Sequence, residues 1–200
     1  MTRGLAEIRD ATPDDARALQ SIWFDFTSES QRAPVETSTL SQIRSAILRL
    51  QADPSERLLV AVLDEEAVGV AHLRRAPISP IHEQDAIHIG YLHVLSGHRR
   101  RGVGKQLLEA AADWAEAGDS RHVVASAAAT ARDAHRFLAR LGLSQVAVVR
   151  GSTVTALRAK LSASSSRSST TNVLAARRMR RRVRAGAVMT YDSGRRGAIS

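Results

Sequence analysis

The 200-residue chain contains no cysteine. A disulfide framework, a thiolate zinc site and a cysteine nucleophile are therefore excluded, and a reducing compartment is the expected setting. Aromatic residues are scarce, with three Phe, two Trp and two Tyr. The close grouping of Trp23, Phe24 and Phe26 therefore stands out as a candidate core edge or pocket wall. Long apolar runs are absent as well. Nothing approaches the ~18 consecutive apolar residues of a membrane-spanning helix. The first eight residues lack the apolar stretch of a signal peptide. A cytoplasmic protein is the expectation.

Acidic residues are nearly missing from one end. Residues 162–200 hold nine arginines and one aspartate, against 20 Lys+Arg and 19 Asp+Glu in residues 1–161. The net charge of +9 thus belongs to the C-terminal stretch, and the body is close to neutral. Ser162–Thr171 is a low-complexity linker by composition, and six arginines crowd residues 177–184. The expected organisation is a folded domain over 1–161 and a disordered basic tail over 162–200. Residues 173–188 have the charge for nonspecific nucleic-acid binding by counterion release. Val173, Leu174, Met179, Val183 and Val188 would alternatively serve contact with an anionic surface. A merely solvated extension is the third reading.

What the chain does have is organised around Val94–Leu108. A β-branched and aromatic run, Ile87–Val94, feeds a basic turn ending in Gly102-Val103-Gly104. A helical pattern follows, with apolar residues at Val103, Leu107, Leu108, Ala111 and Trp114. Strand, glycine-and-arginine turn and helix start form a phosphate cradle, because unpaired N–H groups and the helix dipole both favour an anion there. The dinucleotide fingerprint G-x-G-x-x-G fails, since Leu107 stands where the third glycine belongs, and the P-loop pattern is absent.

Around this stretch the periodicities predict a first strand over 6–11 and a helix capped by Thr12 with Pro13 in its first turn. A polar loop is predicted over 27–38, then a helix over 39–50. Strands over 57–63 and 67–74 are joined by the acidic turn Asp64-Glu65-Glu66. A strand over 122–127 and a helix behind a Thr130–Asp133 capping box come next, then two final strands over 145–150 and 153–161. The order β, α, α, β, β, β, α, β, α, β, β predicts an α/β fold: a mixed, mostly antiparallel sheet of about seven strands with helices on both faces.

Arg99-Arg100-Arg101-Gly102-Val103-Gly104, five residues after a strand ending in Val94, resembles the Gln/Arg-x-x-Gly-x-Gly/Ala signature of the GNAT family of acetyl-CoA-dependent N-acetyltransferases. The element order over 6–161 is similar to that fold. The resemblance implies an enzyme that transfers an acetyl group from acetyl-CoA, with no metal, to a primary amine of a small molecule or protein. It implies that the backbone of Leu92, His93 and Val94 pairs with the pantetheine arm. It implies that N–H groups from Arg100 through Lys105 hold the pyrophosphate, with Arg100, Arg101 or Lys105 reaching the 3′-phosphate. Homodimers through the C-terminal strands are common in folds of this kind.

The chain departs from that family at the catalytic positions. Leu138 stands where many members place an acidic Tyr, four residues before a Gly-Phe pair that is Gly142-Leu143 here. Ala131 replaces a frequent Asn, and the strand from His122 to Ala129 carries no carboxylate. Proton transfer therefore passes to the fourth strand, where Tyr91 and His93 alternate onto one face. His93 is the candidate base, Tyr91 the candidate acid, and His72 a further candidate. Asp25, Glu29 and Glu36, read as loop residues, would attract a cationic acceptor. The alternative is an acetyl-CoA-binding module with weak or no transferase activity, acting through its basic tail.

Overall fold

The computed structural model describes residues 5–29, 38–81 and 83–163. The chain divides into a unit of residues 1–144 and a unit of residues 145–200. The Arg-rich stretch and Glu36 lie outside the described residues.

The first unit is built on a five-stranded sheet in the order β1-β2-β3-β4-β5, with β1 Glu7–Asp10, β2 Glu56–Leu63, β3 Glu66–Pro77, β4 Asp85–Val94 and β5 His122–Ala125. The first three pairings are antiparallel, and β5 joins β4 in parallel. The acidic hairpin turn is two residues long rather than three: Asp64 and Glu65 both take positive φ, at 52° and 65°. That geometry matches the right-handed twist of the strands it joins.

Two helices cover one face. Helix α1, Ala16–Glu29, follows a 3₁₀ turn over Pro13–Asp15 and buries Ala16, Leu19 and Ile22. It runs into the segment expected to be loop, because Thr27 and Ser28 bond back to the carbonyls of Trp23 and Phe24 instead of breaking the helix. Helix α2, Leu40–Gln51, starts with a reciprocal cap: the Gln42 N–H donates to Thr39 Oγ1 at 3.2 Å and the Thr39 N–H donates to Gln42 Oε1 at 2.7 Å. These helices close a core over Val60 and Val70. On the opposite face, helix α3, Val103–Ala117, buries Val103, Leu107, Ala111 and Ala115 against Leu59, Ala61, Leu73, Ile87 and Ile89. The four-residue spacing of that stripe is what a helix needs to keep one face on a sheet.

Helix α4, Arg132–Arg140, begins without the expected capping box. Ala131 is its N-cap, and the Asp133 carboxylate pairs with Arg136 one turn on.

The second unit corrects the sheet to five strands from about seven. Residues 145–150 form no regular element, and Val146, Val148 and Val149 are exposed. Residues 154–163 form a helix, α5, rather than a strand. Val154, Leu157 and Leu161 recur at helical spacing, and Thr153 caps the first turn by accepting the Ala156 N–H at 3.1 Å. That local cap and period outweigh the β-branched start of the segment. Among the described residues, no helix is long and apolar enough to cross a membrane.

Candidate active site

The antiparallel register lays side chains of the α1-facing sheet surface in cross-strand rows. Val60, Val70 and His93 form one row, and Leu58, His72 and Tyr91 form the next. A β-bulge at Gly90 decides this arrangement, since Leu73 pairs with Ile89 while His72 pairs with Tyr91. Ile87 and Ile89 point into the core under α3, whereas Tyr91 and His93 stand under α1. Strict alternation would have put all four on one side. A Cβ at Gly90 would lie 3.5 Å from His72 Nδ1, so the bulge sits directly beside that ring.

Helix α1 brings Asp25 onto His93, with Asp25 Oδ2 2.8 Å from His93 Nε2. The imidazole is 7% exposed and Phe26 meets it edge-on at 5.4 Å. A carboxylate only accepts hydrogen bonds, so Nε2 carries the hydrogen in this pair. Tyr91 packs against Trp23 at 4.8 Å and Phe26 at 5.7 Å between ring centres. A second histidine–carboxylate pair lies on the same surface, with His72 Nε2 2.8 Å from Glu56 Oε2.

One turn beyond Asp25, Glu29 accepts from Arg99 Nη2 at 2.6 Å, and Arg99 Nε donates to the Val94 carbonyl at 2.9 Å. Arg99 therefore ties the end of α1 to the end of β4, and its charge is matched by Glu29. Asp25, Glu29 and His93 each bring a possible metal-ligand atom within 4.8 Å of the others. As they stand, the three close as hydrogen-bonded pairs with one another and with Arg99.

The basic turn has the backbone of an anion cradle. Arg100 and Gly102 take positive φ, 61° and 89°, and Gly102 is the N-cap of α3 with no side-chain cap bond. The Lys105 and Gln106 N–H groups bond to the Gly102 carbonyl, and helix geometry gives those of Val103 and Gly104 no acceptor within α3. Arg100, Arg101 and Lys105 are exposed around them, Lys105 paired with Glu109 at 2.8 Å. The Val103 side chain is buried in the core, so only its backbone faces the turn. Gly104 keeps the helix start open toward Phe137, whose Cζ would lie 3.4 Å from a Cβ there.

Beside the cradle the sheet opens. β5 pairs with β4 only from Ala86 to Ile89, and the last bond across the gap is Ser126 N–H to the Ile89 carbonyl. Leu95 donates to the Val68 carbonyl on β3. By antiparallel alternation, the backbone groups of Leu92 and Val94 then face the opening, while those of His93 face β3. An extended ligand arm would find Leu92 N–H and C=O and Val94 N–H along this edge, the Val94 carbonyl being taken by Arg99 Nε, and would lead from the cradle to Tyr91 and His93. The residues present thus suit a coenzyme A moiety: fixed N–H donors for phosphates, surrounding cations and an open edge for an amide-bearing chain.

The family model described as acetyltransferase (GNAT) family matches residues 16–143, more than half of the chain. The chain belongs to that family. No relative of curated function matches it by sequence. Among solved structures, this GNAT protein is similar to a transcriptional regulator from Bacillus halodurans C-125, with TM-score 0.64 and 22% identity, covering 74% of this chain and 99% of that one. A glucosamine-6-phosphate N-acetyltransferase from Arabidopsis thaliana superposes with TM-score 0.62 at 14% identity, covering 76% and 99%. An aminoglycoside N-acetyltransferase in complex with CoA gives TM-score 0.60 at 16% identity, covering 76% and 97%. At these identities the likeness concerns the fold.

Sequence reasoning named His93, Tyr91 and His72, and named Asp25 and Glu29 as loop acids for a cationic acceptor; in the structure both lie on α1, Asp25 paired with His93 and Glu29 with Arg99, and Glu56 was not named. Asp25 and Glu29 stand four apart, the spacing of one helix face, and that signal becomes readable once α1 extends past Phe26. Glu56 gives no comparable signal, because its pairing with His72 depends on strand register. Leu138 is buried at 8% exposure, and its aliphatic side chain offers no proton where the family often has Tyr.

Proposed function

We propose that this GNAT protein transfers an acetyl group from acetyl-CoA to a primary amine, with His93 as the base and Tyr91 as the acid. The observation carrying this reading is the 2.8 Å pair of buried His93 and half-buried Asp25 beside the open edge of β4. Acetyl-CoA, when bound, supplies a thioester carbonyl and a thiol leaving group. The acceptor amine reaches the site protonated and must lose a proton before it forms the N–C bond. His93 takes that proton at Nδ1, and Asp25 stabilises the resulting imidazolium through Nε2–H. As the C–S bond breaks, the Tyr91 hydroxyl gives a proton to the sulfur, the acylated nitrogen returns its second proton to the Tyr91 oxygen directly or through water, and His93 releases its proton to solvent. The Arg100–Lys105 turn holds the phosphates through backbone N–H groups, with Arg100, Arg101 or Lys105 contacting the outer phosphate. Leu92 and Val94 align the arm.

His93→Ala is expected to lower kcat roughly 10²- to 10⁴-fold and to remove the imidazole ionisation from the pH–rate profile, with acetyl-CoA affinity retained. Asp25→Asn should lower kcat less while keeping an ionisation. Unchanged kcat and pH profile in His93→Ala would overturn the assignment. Acetyl-CoA binding without thiol release on any amine would favour a binding module instead.

A further inference from the structure

The α1-facing surface carries two histidine–carboxylate pairs, and acetyl transfer uses one. Asp25–His93 lies at one end and Glu56–His72 at the other, each with a 2.8 Å hydrogen bond. His93 pairs across with Val70, two residues from His72, so the histidines are diagonal cross-strand neighbours. Strand geometry sets such neighbours ~7–8 Å apart.

The surface between them is aromatic. Tyr91 lies beside His72 at 6.3 Å between ring centres and is backed by Trp23 and Phe26. Trp23 remains 40% exposed. Ring faces attract ammonium groups and pack against methylenes.

The far end is charged and accessible. Glu56 and His72 are each 23% exposed in their side chains, within reach of a ligand. Glu56 also lines a cavity of about 380 Å³ between α2 and the start of β2, with Asp53 on its wall. The Ser55 hydroxyl and N–H hold the Asp53 carboxyl below its usual range, so it is anionic at neutral pH. Arg57, also on that wall, is taken by a two-point contact with Asp10 at 2.9 and 2.8 Å. Arg74 stands opposite Glu56 in register and is exposed, yet the acid is directed at His72.

We infer that the acceptor is an alkyl diamine, its reacting amine at Asp25–His93 and its distal ammonium held by Glu56 against His72. This rests on the acetyltransferase reading and adds the class of acceptor. An acceptor with one amine would leave the second carboxylate unused. A six-carbon diamine has the length to reach both pairs across Tyr91.

Titration calorimetry of 1,6-diaminohexane and hexylamine onto the full chain, with thiol release from acetyl-CoA measured for both amines, tests the inference. The diamine is expected to bind roughly five- to tenfold more tightly. Glu56→Gln should bring the diamine down to the hexylamine level, and Glu56→Asp, which keeps the charge, should retain most of the preference. Melting curves establish that each variant is folded. Equal affinities in the wild type, or an undiminished preference in folded Glu56→Gln, would overturn the diamine site whether or not either amine is acetylated. A Glu56-dependent preference without thiol release would support the site and overturn the acetyltransferase reading.

Discussion

Asp15 shows how one side chain joins several parts of the fold. Arg9 donates to both its oxygens at 2.8 Å, and the Thr12 N–H donates to it at 2.7 Å. The side chain is 10% exposed. The Arg9 hydrogen bonds hold its carboxyl below the usual range; burial opposes this, and the Thr12 bonds assist. A lowered folded value means stability that is fully present above the unfolded carboxylate range, near 4, and lost as pH falls through the folded value. Asp15→Asn is expected to cost roughly 1.5–3 kcal/mol at neutral pH and to flatten the acid limb of stability. Urea midpoints between about pH 6 and 2 would show both effects. A variant with the wild-type acid limb would count against this account. The pattern Thr12-Pro13-Asp14-Asp15 is legible as a helix start, but Arg9 as the partner is not, because only the entry of β1 into the sheet sets its direction.

Among the elements, α3 and β4 show the two limits of a one-dimensional reading. The apolar spacing from Val103 to Trp114 predicts a helix and α3 forms as Val103–Ala117, because its apolar stripe and glycine boundaries are local. At its start, Gly102 has φ 89° and a Cβ there would meet open space, so backbone conformation alone requires glycine. Gly102→Ala should cost about 1–2 kcal/mol and weaken acetyl-CoA binding by turning the N–H groups away. Melting temperature and acetyl-CoA titration measure the two effects; unchanged affinity would exclude the cradle role. Strand β4 is legible as a strand, but its bulge is not. Gly90 is an extra residue only in relation to β3, and that pairing carries Tyr91 and His93 to the α1 side. The segment 154–163 misleads the other way, its β-branched start hiding the Thr153 cap and the helical spacing behind it.

Charge belongs to the whole molecule. Residues 1–161 are nearly neutral, so any polyanion contact of the protein should trace to the nine arginines beyond them. Replacing the six arginines between 177 and 184 with glutamine in the full-length chain is expected to abolish salt-sensitive DNA retention. Acetyl-CoA affinity and melting temperature should be unaffected. Mobility shifts over a salt series are the check, and retention undiminished in the variant would place the DNA contact on the body.

The sequence by itself determined the family and most element positions, because caps, periods and the Arg99–Gly104 spacing are local properties of the chain. Tertiary structure decided the number of strands, since 145–150 meets no ladder among the described residues, and it decided which acids serve which histidines. Asp25 lies 68 positions from His93 and Glu56 lies 16 from His72. Such pairs are made by helix docking and strand register, where a shift of one residue turns every side chain to the other face.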